Sequence, residues 1–214
     1  MNKWKESELV RSLVGFFLLF LLFVGLFIFI VPSTHQSSKI AEKIKSIKNE
    51  NVTYVAIGDS LTQGVGDSSN QGGFVPVLSQ ALESDFDWQV TSRNYGIAGN
   101  TSNQILKRMQ EKKDIQRDLK KAKVMTLTVG GNDVIHVIKD NITNLNVATF
   151  TKPAQAYQKR LRQIIELARK ENKTLPIYIV GIYNPFYLNF PEMTEMQTIV
   201  DHWNQSTEEV CKEY

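Results

Sequence analysis

Three kinds of hydrophobic pattern follow one another along this chain. The first is an unbroken run from Leu13 to Val31, in which every residue is apolar or glycine. The second consists of short β-branched and aromatic runs ended by glycine or other turn residues, which predict strands. The candidate strands are Thr53–Ile57, Trp88–Asn94, Val124–Val129 and Pro176–Ile182.

The third pattern is the helical spacing of apolar residues between these strands. The candidate helices cover residues 73–84, 102–121, 133–141, 153–172 and 192–213. In the fourth of them, Tyr157, Leu161, Ile164, Ile165 and Ala168 fall on one face. Strands that alternate with helices predict an α/β fold with a parallel sheet covered on both faces. In such sheets, ligands bind beyond the carboxyl ends of the strands.

The apolar run at the N-terminus predicts a membrane anchor. A helix rises about 1.5 Å per residue, so a helix through Leu13–Val31 would cross a hydrocarbon core of about 30 Å. The alternative is a cleaved signal peptide, which usually has a shorter apolar region and a small-residue cleavage site. We therefore expect a short tail over 1–12, a transmembrane anchor over 13–32, a tether over 33–50 and a globular domain over 51–214.

The charges that flank the apolar run do not decide its orientation. We expect a single-pass protein of the cell membrane, with the N-terminus inside and the following domain outside the cytoplasm. The net charge of +3 is small, and no basic stripe with interleaved aromatic residues indicates a nucleic acid partner. The lysines that crowd residues 107–123 have acidic residues among them and predict a solvated helix face. Cys211 is the only cysteine, so an intrachain disulfide is excluded.

Three polar, glycine-containing turns directly follow the first three candidate strands. These turns are Gly58–Gly64, Asn94–Thr101 and Val129–Asp133. A serine at a strand-to-helix turn, here Ser60, can present its hydroxyl and its N–H to a substrate. Gly99 could aim its N–H into the same crevice, and the Asn132 amide can donate to a developing oxyanion. Alone, the first two turns are better interpreted as a helix cap or a loop, and the third could be only an N-cap. Together they would converge on one edge of the sheet.

The motifs Ile-Gly-Asp-Ser-Leu-Thr, Gly-x-x-Gly-Asn-Thr and Gly-Gly-Asn-Asp, in this order, resemble those of the SGNH/GDSL hydrolase family. Within that family the chain resembles the single-span GDSL-type esterases of low-GC Gram-positive bacteria, from about Thr53 to its end. The resemblance implies a three-layer α/β/α, flavodoxin-like fold. It also implies a serine esterase or lipase that acts on small esters, the acyl or acetyl groups of lipids or cell-wall glycans. No metal or cofactor is implied.

Carried over residue by residue, the resemblance makes Ser60 the nucleophile and, through its N–H, an oxyanion donor. It makes Gly99 a second backbone donor and Asn132 a side-chain donor. The implied mechanism is attack on an ester carbonyl, a stabilised tetrahedral oxyanion, and an acyl-enzyme that water hydrolyses. The residues expected to contact the substrate are Asp59, Asn100, Asp133 and Tyr183. Tyr183 begins an aromatic stretch over 183–190 that forms either an apolar wall for an acyl chain or core packing.

The general base of the family is a histidine in an Asp-x-x-His motif near the C-terminus. His35 lies beside the apolar run, and His202 has the wrong spacing from an aspartate. His136 completes an Asp-x-x-His with Asp133, but Asp133 already belongs to the third turn, and residues 133–136 would form the first turn of the following helix. We therefore expect the parent protein to continue past Tyr214 with a strand, an Asp-x-x-His loop and a helix. The chain without them is expected to be nearly inactive.

Two other functions are compatible with this pattern. One is a catalytically inactive binding module that keeps the pocket of the family and lacks the base. The other is a structural protein tethered to the membrane, against which the intact set of Ser60, Gly99 and Asn132 argues. A covalent serine probe would separate the esterase from the binding module.

Overall fold

A four-stranded parallel sheet forms the centre of the computed structural model, which describes residues 50–141, 143, 146–184 and 194–214. The strands are β1 Glu50–Gly58, β2 Trp88–Gly96, β3 Ala122–Thr128 and β4 Ile177–Val180. They lie in the order β2-β1-β3-β4 and pair in parallel throughout. This order matches the first four strands of a flavodoxin-like sheet. All four predicted strands are confirmed, and β4 is shorter than predicted.

Seven α-helices accompany the sheet in the described residues. They are α1 Ser60–Gln63, α2 Phe74–Phe86, α3 Ser102–Glu111, α4 Lys113–Lys121, α5 Gly131–Asp140, α6 Thr151–Glu171 and α7 Thr194–Cys211, with a 3₁₀ turn at Val147–Phe150. The prediction of one helix over 102–121 is wrong, because Lys112 takes an extended conformation between α3 and α4. The predicted apolar face of α6 is confirmed, since all five of its residues are buried.

Hydrophobic cores lie on both faces of the sheet. Along β1 the side chains alternate, so Val55 points to one face while Tyr54 and Ala56 point to the other. Val55 packs with Leu127 of β3 in the larger core, to which α3, α4, α5, α6 and α7 contribute. Tyr54 and Ala56 pack with Val75 of α2 in the smaller core. The sheet is therefore covered by helices on both sides, which confirms the predicted α/β fold.

One part of the sheet lies open on the α2 side. Tyr178 and Val180 of β4 are 61% and 42% exposed. The register pairs Tyr178 with Thr126, whose hydroxyl contacts the Tyr54 hydroxyl at 2.7 Å on the same face. The helices of the described part therefore leave the end of the sheet at β4 uncovered on this side.

The predicted anchor and tether fall almost wholly outside the described residues. Glu50, the last residue of the predicted tether, belongs to β1. Within the ranges that the structure describes, no helix has the length and hydropathy required to cross a membrane.

The end of β2 packs very closely against α1. A Cβ atom added to Gly96 would lie 2.2 Å from the backbone nitrogen of Gln63 and 2.5 Å from the carbonyl carbon of Thr62. These are backbone atoms of the turn that carries Ser60, so they cannot yield unless the turn moves. Gly96 therefore sets the separation between the ends of β1 and β2.

We expect Gly96→Ala to lower the free energy of unfolding by about 1–3 kcal/mol, the usual cost of overpacking a tightly packed region. Urea denaturation followed by circular dichroism measures this loss. Gly131→Ala is the matched control, because its added Cβ would lie 3.8 Å from Ile182 Cγ2, an ordinary contact. Equal unfolding midpoints for the two variants would contradict this account of Gly96.

Candidate active site

The turn that carries Ser60 is fixed by the buried side chain of Asp59. Asp59 Oδ1 accepts hydrogen bonds from the Leu61 N–H at 3.1 Å and from Thr128 Oγ1 at 2.8 Å. The N–H of Asp59 donates back to Thr128 Oγ1 at 3.1 Å. Thr62 Oγ1 lies 2.8 Å from the same hydroxyl. Asp59 was predicted to bind substrate, and the structure shows its carboxylate capping α1 and joining the ends of β1 and β3.

Ser60 itself is left free for chemistry. Within the described residues neither its hydroxyl nor its N–H has a hydrogen-bond partner. As the first residue of α1, it also has no intrahelical acceptor for its N–H. A substrate carbonyl could therefore meet both the Ser60 hydroxyl and the Ser60 N–H.

The second predicted turn lies next to the first. Gly99 has φ +78°, a conformation that favours glycine. A Cβ atom added to Gly99 would have no non-neighbouring atom of the described residues within 4 Å. The N–H of Ala98 donates to Gln63 Oε1 at 2.6 Å, which joins this turn to α1. Asn132 Nδ2 donates to the carbonyl oxygen of Asn100 at 3.0 Å, which joins it to the third turn. The structure thus brings the three predicted turns together at the carboxyl edge of the sheet.

A partly buried arginine lies beneath these turns. Arg108 donates to Asn100 Oδ1 at 2.8 Å, to the Tyr95 carbonyl at 2.9 Å and to the Gly58 carbonyl at 3.1 Å. Burial lowers the pKa of this guanidinium from its usual value. Asn100 was predicted to contact substrate, and its side-chain oxygen serves as an acceptor for Arg108. One cation thereby fixes the ends of β1 and β2 and the turn that follows β2.

Asp133 does not line the pocket of Ser60, because it lies on a different side of α5 from the one that borders that pocket. Its carboxylate accepts from the Ser102 N–H at 2.8 Å, from Ser102 Oγ at 2.6 Å and from Arg160 at 3.1 Å. These contacts hold α3, α5 and α6 together around a depression that His136 also lines. The predicted substrate contact of Asp133 remains a prediction, since the structure gives its oxygens structural partners.

An apolar pocket of about 190 Å³ opens beside Ser60. Its walls come from the turn after β1, from α5, from the end of β4 and from α7. Asn132 lines it together with Ser60, and Tyr183 stands 67% exposed at its mouth. Gly99 and Asn100 are not among its lining residues. The predicted aromatic wall beyond residue 184 lies outside the described residues.

The histidines do not complete this site in the described part of the chain. His136 is exposed and lines the separate depression beside Asp133, and His202 is exposed on α7. No group of three histidine, cysteine or carboxylate residues in the described ranges is arranged to hold a metal ion.

Residues 56–214 match the model of the GDSL-like Lipase/Acylhydrolase family. The chain belongs to this family. A relative from Bacillus subtilis, the uncharacterized protein YpmR, is 33% identical over 182 residues, which cover 84% of this chain and 71% of the relative. Spore germination lipase LipC from Bacillus licheniformis is 29% identical over 137 residues, which cover 62% of this chain and 64% of the lipase.

Solved structures agree with the family assignment. The lipase Lip_vut3 from a goat rumen metagenome has a TM-score of 0.65 and 26% identity, covering 72% of this chain and 73% of that one. The acetyl xylan esterase AlAXEase has a TM-score of 0.54 at 20% identity, with 76% and 73% of the two chains covered. The second likeness shows the fold alone. The GDSL-like acylhydrolase fold predicted from the three motifs is therefore confirmed.

Several side chains that build this GDSL-like site were not predicted from the sequence. Thr128 and Gln63 looked like ordinary strand and turn residues. Arg108 lies among exposed lysines that do form the predicted solvated face. The spacing of Arg108 indicated its position, because Arg108 follows the buried Ile105 by three residues. The two residues therefore lie on the same side of α3. Asp67 was also missed.

Asp67 organises the loop between α1 and α2. Its carboxylate accepts from the N–H groups of Ser69, Gln71 and Gly73 at 2.9, 2.9 and 3.0 Å. The Ser69 hydroxyl, which also donates to it, contributes most to holding the Asp67 pKa far below its ordinary value. The loop that follows the nucleophile turn is therefore held by one ionised side chain.

We expect Arg108→Met to lower the free energy of unfolding by about 1.5–3 kcal/mol, because three carbonyl acceptors lose a charged donor. Urea denaturation measures the loss. Lys107→Met is the matched control, since Lys107 is exposed and its ion pair with Glu111 is long, at 3.9 Å. An exposed pair of this kind contributes at most about 1 kcal/mol. Equal losses in the two variants would show that Arg108 does not hold the turns.

Proposed function

We propose that this chain carries the nucleophile and oxyanion donors of a serine esterase that forms an acyl-enzyme at Ser60. The observation that carries the proposal is the Ser60 hydroxyl, which has no partner in the described residues and opens on an apolar pocket shared with Asn132. Membership of the GDSL-like acylhydrolase family supports it. The relatives named as a lipase in Bacillus licheniformis and in the goat rumen metagenome support the same class of reaction.

In the proposed reaction the Ser60 oxygen attacks the ester carbonyl carbon, and its proton passes to a general base. The N–H groups of Ser60 and Gly99 and the amide of Asn132 donate to the resulting oxyanion. An asparagine amide has two protons, and Asn132 uses one of them on the Asn100 carbonyl. Its second proton is the one we assign to the oxyanion. Collapse of the intermediate expels the alcohol, and water then releases the acid.

The pocket favours an apolar acyl group as the part of the substrate that enters it. A cavity of about 150 Å³ lined by aliphatic side chains suffices for benzene, so 190 Å³ accommodates a short acyl chain. The pocket walls include aliphatic side chains such as Val134, Ile138 and Val200. We therefore propose a carboxylic ester of a lipid as the substrate ahead of an acetylated glycan.

The proposed reaction also needs a general base. Within the described residues neither His136 nor His202 lines the pocket of Ser60, so we assign the base to neither of them.

We further propose that Leu13–Val31 anchors the protein in the cell membrane, with the hydrolase domain outside the cytoplasm. The support is the sequence pattern of that run, which is long enough to span a bilayer. Protease accessibility of the domain in intact cells, compared with permeabilised cells, tests the orientation.

We expect a fluorophosphonate probe to label the protein at Ser60, because the probe captures a serine that a base has activated. Mass spectrometry of the labelled peptide identifies the site. Ser60→Ala should abolish the label, while Ser69→Ala, in the neighbouring loop, should retain it. A folded full-length protein that takes no label would instead favour the inactive binding module.

Asn132→Ala should lower kcat for a soluble ester by about 10²–10³-fold, the usual effect of removing one oxyanion donor. KM should change much less, because the oxyanion forms only after attack. Asn103→Ala is the matched control, since Asn103 lines the other depression and not the pocket of Ser60. A loss confined to KM would contradict the role assigned to Asn132.

A further inference from the structure

The carboxyl edge of the sheet carries almost no charge. The described segments that follow the four strands there, residues 59–66, 97–104, 129–138 and 181–184, contain no lysine, arginine or glutamate. Their two aspartates, Asp59 and Asp133, are buried, and Asp133 is paired with Arg160 at 3.1 Å. Along the sequence after Ser60, the first charged side chain is that of Asp67, and the first lysine is Lys107. Within the described residues, the surface around Ser60 is therefore neutral.

Five large apolar side chains stand exposed on this neutral edge, and we call them the apolar rim. They are Leu61 (39%), Val65 (58%), Ile97 (45%), Ile135 (42%) and Tyr183 (67%). Three of them, Leu61, Ile135 and Tyr183, line the pocket of Ser60. The Val65 N–H donates to the Ser60 carbonyl at 2.9 Å, and the Ile97 N–H to the Gly58 carbonyl at 3.1 Å. The apolar rim therefore borders the nucleophile.

We propose that the apolar rim docks on a neutral lipid surface and that Ser60 takes its ester from that surface. The pocket opens within the rim, so an acyl chain that moves from the lipid into the pocket remains in apolar surroundings. Apolar side chains on a surface free of charge favour insertion at a lipid interface, where a charged rim would oppose it. The docking is independent of the reaction, whereas the transfer of an ester to Ser60 rests on the proposed function.

Two features of the sequence favour a lipid surface over a protein partner. The same sequence contains Leu13–Val31, an apolar run of bilayer length. The rim also lacks the charged side chains that would give a protein partner a fixed orientation. A second copy of this chain or another protein is an outcome that the experiment separates from lipid.

The first experiment places a fluorophore on the rim of the full-length protein reconstituted in phosphatidylcholine vesicles. Cys211, the only cysteine, is replaced by serine, and Ile97→Cys is labelled with the environment-sensitive dye NBD. Lys120→Cys is the matched control, because Lys120 is exposed just before β3 begins, at the opposite edge of the sheet. We expect a blue-shifted emission that spin-labelled lipid quenches at position 97 and not at position 120.

Equal, water-like emission at both positions would overturn the docking. Emission at position 97 that rises with protein concentration and resists quenching by spin-labelled lipid would also overturn it, since a protein contact would then cover the rim.

The second experiment compares a vesicle-borne ester with a soluble short-chain ester. Val65→Asp should lower hydrolysis of the vesicle-borne ester about tenfold, a loss near the lower end of the burial free energy of one valine, and leave hydrolysis of the soluble ester unchanged. Gln110→Asp adds the same charge on the exposed surface of α3 and should change neither rate. Equal effects of Val65→Asp on both esters would overturn the proposal. Failure of the unaltered full-length protein to cleave the soluble ester would overturn the proposed function, and the dye would still decide the docking.

Discussion

The Thr128 hydroxyl is the contact on which the geometry of this site depends. It donates to the Asp59 carboxylate at 2.8 Å and accepts from the Asp59 N–H at 3.1 Å. Because Thr128 ends β3 and Asp59 follows β1, these two bonds fix the turn of Ser60 against the centre of the sheet. Buried hydrogen bonds to a charged group are stronger than bonds between neutral groups, and they are costly to leave unmade. The sheet itself therefore positions Ser60, the proposed nucleophile.

Arg108 fixes the turn that follows β2 in a similar way. Its guanidinium contacts both the end of β1 and the Asn100 side chain, while the Asn100 carbonyl accepts from Asn132. The three proposed oxyanion donors thus sit on one connected set of hydrogen bonds. Preorganised donors of this kind stabilise a developing charge without reorganising during the reaction. This connection explains why hydrogen-bonded polar residues are concentrated beneath the pocket.

Pattern alone predicted the sheet, its α/β class and the three turns, because strand composition and glycine-rich turns are local properties of sequence. The break between α3 and α4 was missed because the residues around Lys112 keep a helical periodicity on both sides. The partners of Asp59, Asp133 and Arg108 could not be predicted either, since they lie far away in sequence. Asp133 illustrates the point: it stands within the third motif, yet its carboxylate holds Ser102 and Arg160.

The contact between Asp59 and Thr128 spans 69 positions of the sequence, which has a consequence for the nascent chain. At a synthesis rate of about 5–20 residues per second, Ser60 leaves the ribosome roughly 3–14 s before its supporting hydroxyl. Throughout that interval the Asp59 carboxylate lacks the Thr128 hydroxyl that fixes the Ser60 turn. The geometry of the candidate site is therefore complete only after the long-range pairing of β1 and β3.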